Sequence, residues 1–264
     1  MQPSSNEKPL FFDDFTSEEL DRTRWNVEVT GNIYNNEQQA YIDSPETIFL
    51  TNEYPDANGV LVIKPKYKKD TVTPQGDSFD FVSGRIHTKG KFDFTYGKIS
   101  ARIKLPEGEG LWPAFWTVGS KGGWPECGEL DVMEFVGESD WVSAAVHGPG
   151  FSGESAVVNK IFFTPPEGAA QWGIYSLDWT QDCLYFKVDD ELIYRVSRPM
   201  VEFFGSWVFD KDQHVIINLA LGGRYPYKTN GIKEPYYGIS ESTVRAIVNN
   251  EIALLVDWVK IIQN

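Results

Sequence analysis

Lys98-Ile99-Ser100-Ala101-Arg102-Ile103-Lys104-Leu105 alternates polar and apolar residues without a break. Ile99, Ala101, Ile103 and Leu105 fall on one side, and Lys98, Ser100, Arg102 and Lys104 on the other. That period of two is the mark of a half-buried β-strand. Leu184, Phe186 and Val188 repeat it, Asp189-Asp190-Glu191 supplies a turn, and Leu192, Tyr194 and Val196 resume it, the outline of a hairpin. His214 to Leu221 and Ala253 to Ile262 are more continuously apolar, as strands covered on both faces are. The 23 Gly and 15 Pro punctuate the chain at turn-like spacing. Ser240 to Asn249 is the best helical candidate, short and closed by Asn-Asn. There is no repeat, low-complexity tract or linker. Many short strands with turns between them predict an all-β, two-sheet sandwich of the jelly-roll kind, with residues 1–264 as one domain.

Composition narrows the partners. A chain of 264 residues is long enough for a large core, hiding roughly 70–75% of its unfolded surface. No apolar run is long enough to cross a bilayer. The net charge of −14 opposes nucleic acid, anionic membranes and acidic polymers, so a neutral partner is expected. Nine Trp, 12 Tyr and 17 Phe fit a large β core, and equally a groove whose rings lie against sugar faces. Cys127 and Cys183 make no disulfide framework and have no metal-ligand spacing, so both are expected to be unpaired thiols. Met-Gln-Pro-Ser-Ser-Asn-Glu-Lys at the start has no apolar signal core. A cytoplasmic protein and a mature form given a start methionine both fit that.

Glu129-Leu130-Asp131-Val132-Met133-Glu134 carries the chemistry. In a regular strand, residues 129, 131 and 133 share a face and 134 lies on the other. Glu134 alone in an apolar layer would be costly. One extra residue, a β-bulge at Val132-Met133, rephases the strand and puts all three carboxylates on one face. Three acids interleaved with Leu130, Val132 and Met133 have no structural purpose; an acid/base site gives them one. Five strand residues span about 16 Å, or about 13 Å with a bulge, and the side chains lean across the rest. The spacing fits a retaining glycosidase pair, about 5–5.5 Å apart, and an inverting pair at roughly 6.5–9.5 Å. One Glu would be ionised as nucleophile and the other protonated as general acid, with Asp131 adjusting their proton affinities.

Trp-Pro-Glu-Cys-Gly-Glu-Leu-Asp-Val-Met-Glu-Phe-Val-Gly, 124–137, resembles the catalytic stretch of glycoside hydrolase family 16 in its bulged Glu-x-Asp-x-x-Glu version. Lys91 to Pro106, Gly110-Leu-Trp-Pro-Ala-Phe-Trp116, Val146-His-Gly-Pro-Gly-Phe-Ser-Gly153, Asn218-Leu-Ala-Leu-Gly-Gly223 and Val256-Asp-Trp-Val-Lys260 resemble its laminarinase branch, the endo-β-1,3-glucanases. The resemblance covers nearly the whole chain in order. It implies a concanavalin-like bent β-jelly roll with a substrate cleft on the concave sheet, and a retaining double displacement. On the matching positions Glu129 is the nucleophile, Glu134 the general acid/base, and Asp131 the carboxylate that orients the nucleophile.

The same resemblance implies the cleft. Trp124 matches the tryptophan that floors the subsite at the cleavage point. Trp112 and Trp116 are four apart and share a strand face, with at least one expected to meet sugar. The pattern places His147 beside the acid/base. Arg85 and Asn36 match positions that contact sugar hydroxyls, although Asn35 and Asn36 also read as turn residues. Asn218, polar inside Ile216-Ile217-Asn218-Leu219, needs a partner, which the cleft would supply. Family members often bind calcium through oxygens, and the matching positions are Asp14, Gly59 and Asp257. Where the family commonly shows Trp-Pro-Gly, this chain carries Arg224 to Gly238, which puts a simple transfer of β-1,3 specificity in doubt. The expectation is a monomeric, secreted endo-glucanase acting on β-1,3-glucan, with mixed β-1,3/1,4-glucan as a further substrate and no metal needed for catalysis. The alternatives are hydrolysis of another neutral polymer such as agarose, or a non-catalytic glucan-binding protein.

Overall fold

Two antiparallel sheets lie face to face across an apolar core. A computed structural model describes residues 8–30, 34–137, 140–163, 168 and 171–263; the start of the N-terminal segment read above lies outside them. One sheet runs, in spatial order, through Glu191–Ser197, Cys183–Val188, Trp172–Trp179, Gly97–Lys104, Leu254–Ile262, Val60–Ile63 and Ile48–Thr51, with Phe11–Asp13 added beside Leu254–Ile262. The other runs through Val157–Phe162, Trp141–His147, Glu129–Glu134, Leu111–Gly119, Gln213–Leu221, Arg85–His87 and Asn26–Val27. A three-stranded sheet, Gln39–Tyr41, Ser78–Ser83 and Lys66–Val72, lies against the Gln213–Leu221 strand, Ser83 Oγ donating to the Leu219 carbonyl and Leu221 N–H to Gln39 Oε1.

Alternation predicts which side chains enter the core. Ile99, Ala101, Ile103 and Leu105 are buried there with Leu177, Val256, Phe115 and Ile217. The Asp189-Asp190 hairpin also forms. Both residues take positive φ, 49° and 67°, the twist a two-residue turn demands, and Val188 faces Glu191. One expectation fails locally. A register shift opposite Phe186/Lys187 sets Leu192 against Lys187, so Leu192 points outward, 55% exposed, while Val196 is buried. Gln213–Leu221 is buried at every position, as its continuous apolar run predicts, but Leu254–Ile262 keeps four partly exposed residues.

The helix at Glu241–Val248 forms as predicted, with Ser240 Oγ accepting from Thr243 N–H at the N-cap. Arg198–Phe204 and Arg224–Asn230 are helices that periodicity does not reveal. Both cysteines are free, Cys127 buried and Cys183 partly exposed. No helix among the described residues is long and apolar enough to cross a membrane.

Candidate active site

The bulge lies where three acids on one face require it. Opposite Trp141–His147, Asp131 faces Ala145 and Glu134 faces Ser143, so three steps on one strand answer two on its neighbour. On the other side Met133 faces Phe115 and Asp131 faces Trp116, which leaves Val132 as the extra residue. Leu130, Val132 and Met133 all enter the core. Each contributes roughly 1.5–3 kcal/mol by burial, which offsets part of the cost of holding three acids beside them. Glu129, Asp131 and Glu134 are thereby turned to the outer face. Deleting Val132 leaves a regular alternation, Leu130, Met133 and Phe135 in, Glu129, Asp131 and Glu134 out. That variant is expected to keep its circular dichroism spectrum yet lose activity by about 100-fold or more, because the carboxyls move relative to each other. Unchanged kcat would show that the bulge does not set the site.

Register then arranges the outer face in rungs. Arg85, Asn218, Ala114, Glu134 and Ser143 form one, and His87, Ile216, Trp116, Asp131 and Ala145 the next. His214, Val118, Glu129 and His147 form a third. A row of strand neighbours thus carries the acids between Arg85 and Asn218 on one side and His147 on the other.

Each acid has a distinct partner. Trp112 Nε1 donates to Glu134 Oε1 at 3.1 Å, and the Trp124 indole favours the ionised form of Glu129 against the burial that raises it. Carboxyl oxygens of Glu129 and Asp131 and a ring nitrogen of His147 lie within 4.8 Å of one another, so charge on Asp131 opposes ionisation of Glu129. His147 Nδ1 accepts from Gly153 N–H at 3.0 Å, so the ring proton sits on Nε2. Nε2 lies 3.1 Å from Asp131 Oδ2 and 3.8 Å from Glu129 Oε1, an ion-pair distance without the alignment of a full hydrogen bond to Asp131. Burial first, and mutual repulsion second, lift Glu129 and Glu134 to about 8; burial lifts Asp131 to about 8 as well. The three titrate as a set, each ionisation opposing charge already present. An ionised and a protonated carboxyl therefore coexist over one pH range, the condition for an acid and a nucleophile to act together.

The sugar-contact expectations divide. Trp124 is 51% exposed beside His147, their rings 6.1 Å apart, as a platform would be. Trp112 and Trp116 both turn outward: Trp116 Nε1 donates to Asn218 Oδ1 at 2.8 Å, and the Arg85 guanidinium lies 5.0 Å from the Trp116 ring. Asn218 finds its partners in Trp116 and in Tyr41, to whose hydroxyl it donates at 3.1 Å. Arg85 Nε finds none among the described residues. Asn36 sits with φ 57° in an exposed turn, the alternative reading of that residue, and its carbonyl accepts from the Gln38 side chain.

Four neighbours escape sequence reasoning. Glu37 accepts from Gln39 and Tyr41 beneath Arg85, and burial raises its carboxyl. Tyr41 lies 177 positions from Asn218, so nothing local announces the pair. Ser143, fully buried, hydrogen bonds to Tyr225 at 3.0 Å. Tyr225 lies on Arg224–Asn230, so the unfamiliar segment from 224 to 238 borders the site at Glu134. Its signal was the departure from the family pattern; Ser143 has one only after register is known.

The positions expected to hold calcium lie elsewhere. Asp13 faces Val259 and Leu61 faces Val256, which brings Asp14, Gly59 and Asp257 to one corner of the eight-stranded sheet. A Cβ on Gly59 would fall 2.4 Å from the Phe15 carbonyl oxygen, so glycine permits main-chain oxygens to crowd here. Oxygen donors suit a hard cation. Arg102 holds Asp257 Oδ2 at 2.6 Å and lowers the charge available to one, while Asp14 Oδ1 accepts from Thr16.

The model of the glycosyl hydrolases family 16 matches residues 25–229. The chain belongs to glycosyl hydrolase family 16. A beta-glucanase of Rhodothermus marinus is 30% identical over 217 residues, 78% of this chain and 72% of that protein. Endo-1,3-1,4-beta-glycanase ExsH of Rhizobium meliloti is 32% identical over 191 residues, 72% of this chain and 38% of that protein, so the chain spans well under half of this relative. The structure of endo-beta-1,3-glucanase from Pyrococcus furiosus superposes with a TM-score of 0.83 at 29% identity, over 98% of this chain and 96% of that one. The concanavalin-like jelly roll expected of a family 16 member is thus borne out.

Proposed function

We propose that this family 16 member is a retaining endo-β-glucanase that cuts β-1,3-glucan, and mixed β-1,3/1,4-glucan as a second substrate. One observation carries the reading: a bulge turns three buried carboxyls to one face, with the Trp112 indole donating to Glu134. Glu129 attacks the anomeric carbon while Glu134 gives its proton to the glycosidic oxygen, and the leaving sugar departs with a new hydroxyl. Glu134, now ionised, takes a proton from water; the water oxygen attacks the anomeric carbon and Glu129 leaves as carboxylate. Asp131, between Glu129 and the His147 Nε2–H, fixes the nucleophile's orientation. Trp124, Trp116, Arg85 and Asn218 hold the sugars.

The likeness to a protein named for β-1,3 linkages and to one named for mixed linkages, and the neutral ligand favoured by a net charge of −14, support glucan over an anionic galactan. Agarose is the neutral galactan to exclude. Laminarin, lichenan and agarose are to be digested, with NMR of the first-formed anomer. Release of β-anomeric ends from laminarin is expected. Binding of laminarin without new reducing ends would leave a glucan-binding protein, and an α-anomer first would make the pair inverting. The polymeric substrate makes a secreted monomer the working expectation.

A stabilising Ca2+ at the Asp14, Gly59 and Asp257 corner belongs to the same reading. Arg102 makes it weak. Millimolar Ca2+ after EDTA is expected to raise the melting temperature by roughly 2–4 °C, about 1 kcal/mol. Superimposable melting curves would remove calcium from the account.

A further inference from the structure

We infer that Tyr225 is a positioning residue for Glu134, bracing both strands that flank it; this rests on Glu134 being the acid/base. Glu134 ends its strand between Ala114 and Ser143. From the Leu111–Gly119 strand, Trp112 reaches over to donate to Glu134 Oε1. The Tyr225 ring meets that indole edge-on, centroids 5.5 Å apart at 81°. From the opposite neighbour, Ser143 Oγ hydrogen bonds to the Tyr225 hydroxyl at 3.0 Å. A single side chain thus braces the indole that orients Glu134 and the strand on its other side.

The segment that presents Tyr225 is anchored well enough for that role. Gly223, at φ 95°, turns the chain out of the Gln213–Leu221 strand, and Arg224 N–H donates to the Asn35 carbonyl at 2.7 Å. Pro226 is buried, Tyr227 stacks on Tyr237 with centroids 4.4 Å apart, and Asn230 Nδ2 donates to the Gly238 carbonyl. The Trp141 ring also meets Tyr225, 6.4 Å between centroids. A short helix tied at both ends holds a ring more tightly than an open loop does.

The test reads proton donation, which a merely structural residue would not alter selectively. Tyr225→Ala, Tyr225→Phe and Glu134→Ala are assayed on laminarin and on a dinitrophenyl β-glucan oligosaccharide, whose leaving group needs little protonation. Tyr225→Ala is expected to lose roughly 10–100-fold in kcat on laminarin and under about 3-fold on the activated substrate. Its alkaline limb should move to lower pH, because water reaching Glu134 relieves the burial that raises it. Tyr225→Phe keeps the ring against Trp112 but gives up the bond to Ser143, so its laminarin rate should fall between those of Tyr225→Ala and the parent, with the alkaline limb in place. Should Tyr225→Ala not fold, Tyr225→Leu fills the space without the ring edge and must show the same split. Equal losses on both substrates, or none, with Glu134→Ala still selective, overturn the role of Tyr225 alone. If Glu134→Ala is not selective either, the acid/base assignment fails and this inference fails with it.

Discussion

Glu129→Ser is expected to lower kcat on laminarin by roughly 10⁴-fold or more, because no other carboxyl can form the glycosyl ester. Affinity for laminarin oligosaccharides should survive, since Trp124, Trp116, Arg85 and Asn218 are untouched; titration calorimetry measures it. The same variant should be more stable than the parent. Burial lifts the Glu129 carboxyl from its ordinary 4.5 to about 8, so the fold holds this proton where the unfolded chain has released it. The favourable contribution is full below about 4.5 and is lost as pH rises through about 8. Above that, an ionised, nearly buried carboxylate opposes folding. Serine carries no such charge, so the gain should grow from pH 5 to pH 9 and reach about 1–3 kcal/mol, read as a rise in melting temperature. Equal melting temperatures across that range would mean that the site does not store unfavourable charge. Loss of binding together with turnover would instead point to a structural role for Glu129.

The two properties share one cause. Family 16 chemistry needs carboxyls close together in a dry place, and the fold supplies it only by burying charge beside Leu130, Val132 and Met133. A catalytic site that destabilises its own scaffold is expected wherever proton affinities must be shifted this far. The large apolar core between the two sheets offsets that cost.

What the sequence made legible follows the reach of each interaction. Alternation in Lys98–Leu105 is local, so the strand and its buried side were readable. The bulge was readable because three acids two and three positions apart admit no other common face. Hairpin details were less so: Leu192 turns outward through a register shift that depends on the partner strand, not on Leu192 itself. The helix Arg224–Asn230 was hidden for the same reason. It contains Pro226 and two tyrosines, weak local signals, and is held by the Asn35 carbonyl and Tyr237. The network of Glu37, Tyr41, Arg85 and Asn218 joins residues far apart in the chain. Resemblance located Arg85 and Asn218, but only the register shows that they share a rung with Glu134. Asn36 read two ways, and its geometry is that of a turn residue.

Glu134→Ala should separate the two halves of the reaction. Without a proton donor, hydrolysis of laminarin is expected to fall by about 10³-fold, within the range general acid catalysis supplies. On a dinitrophenyl glycoside the first step needs no proton, so the glycosyl ester on Glu129 should still form, and its slow hydrolysis should give a burst of dinitrophenol. Azide, a nucleophile needing no general base, should restore steady-state turnover and yield a β-glycosyl azide if the mechanism retains configuration. The parent's bell-shaped pH profile should change in a defined direction. Its alkaline limb records loss of the proton that burial and Asp131 hold on Glu134 near pH 8, and removal of that carboxyl should abolish the limb on the activated substrate. The acid limb, which records ionisation of the Glu129–Asp131 pair, should remain. It should also move to lower pH, since the pair would ionise without a third carboxyl beside it. A profile that kept its alkaline limb would assign the acid's proton to Asp131, and the division of labour among the three carboxyls would have to be redrawn.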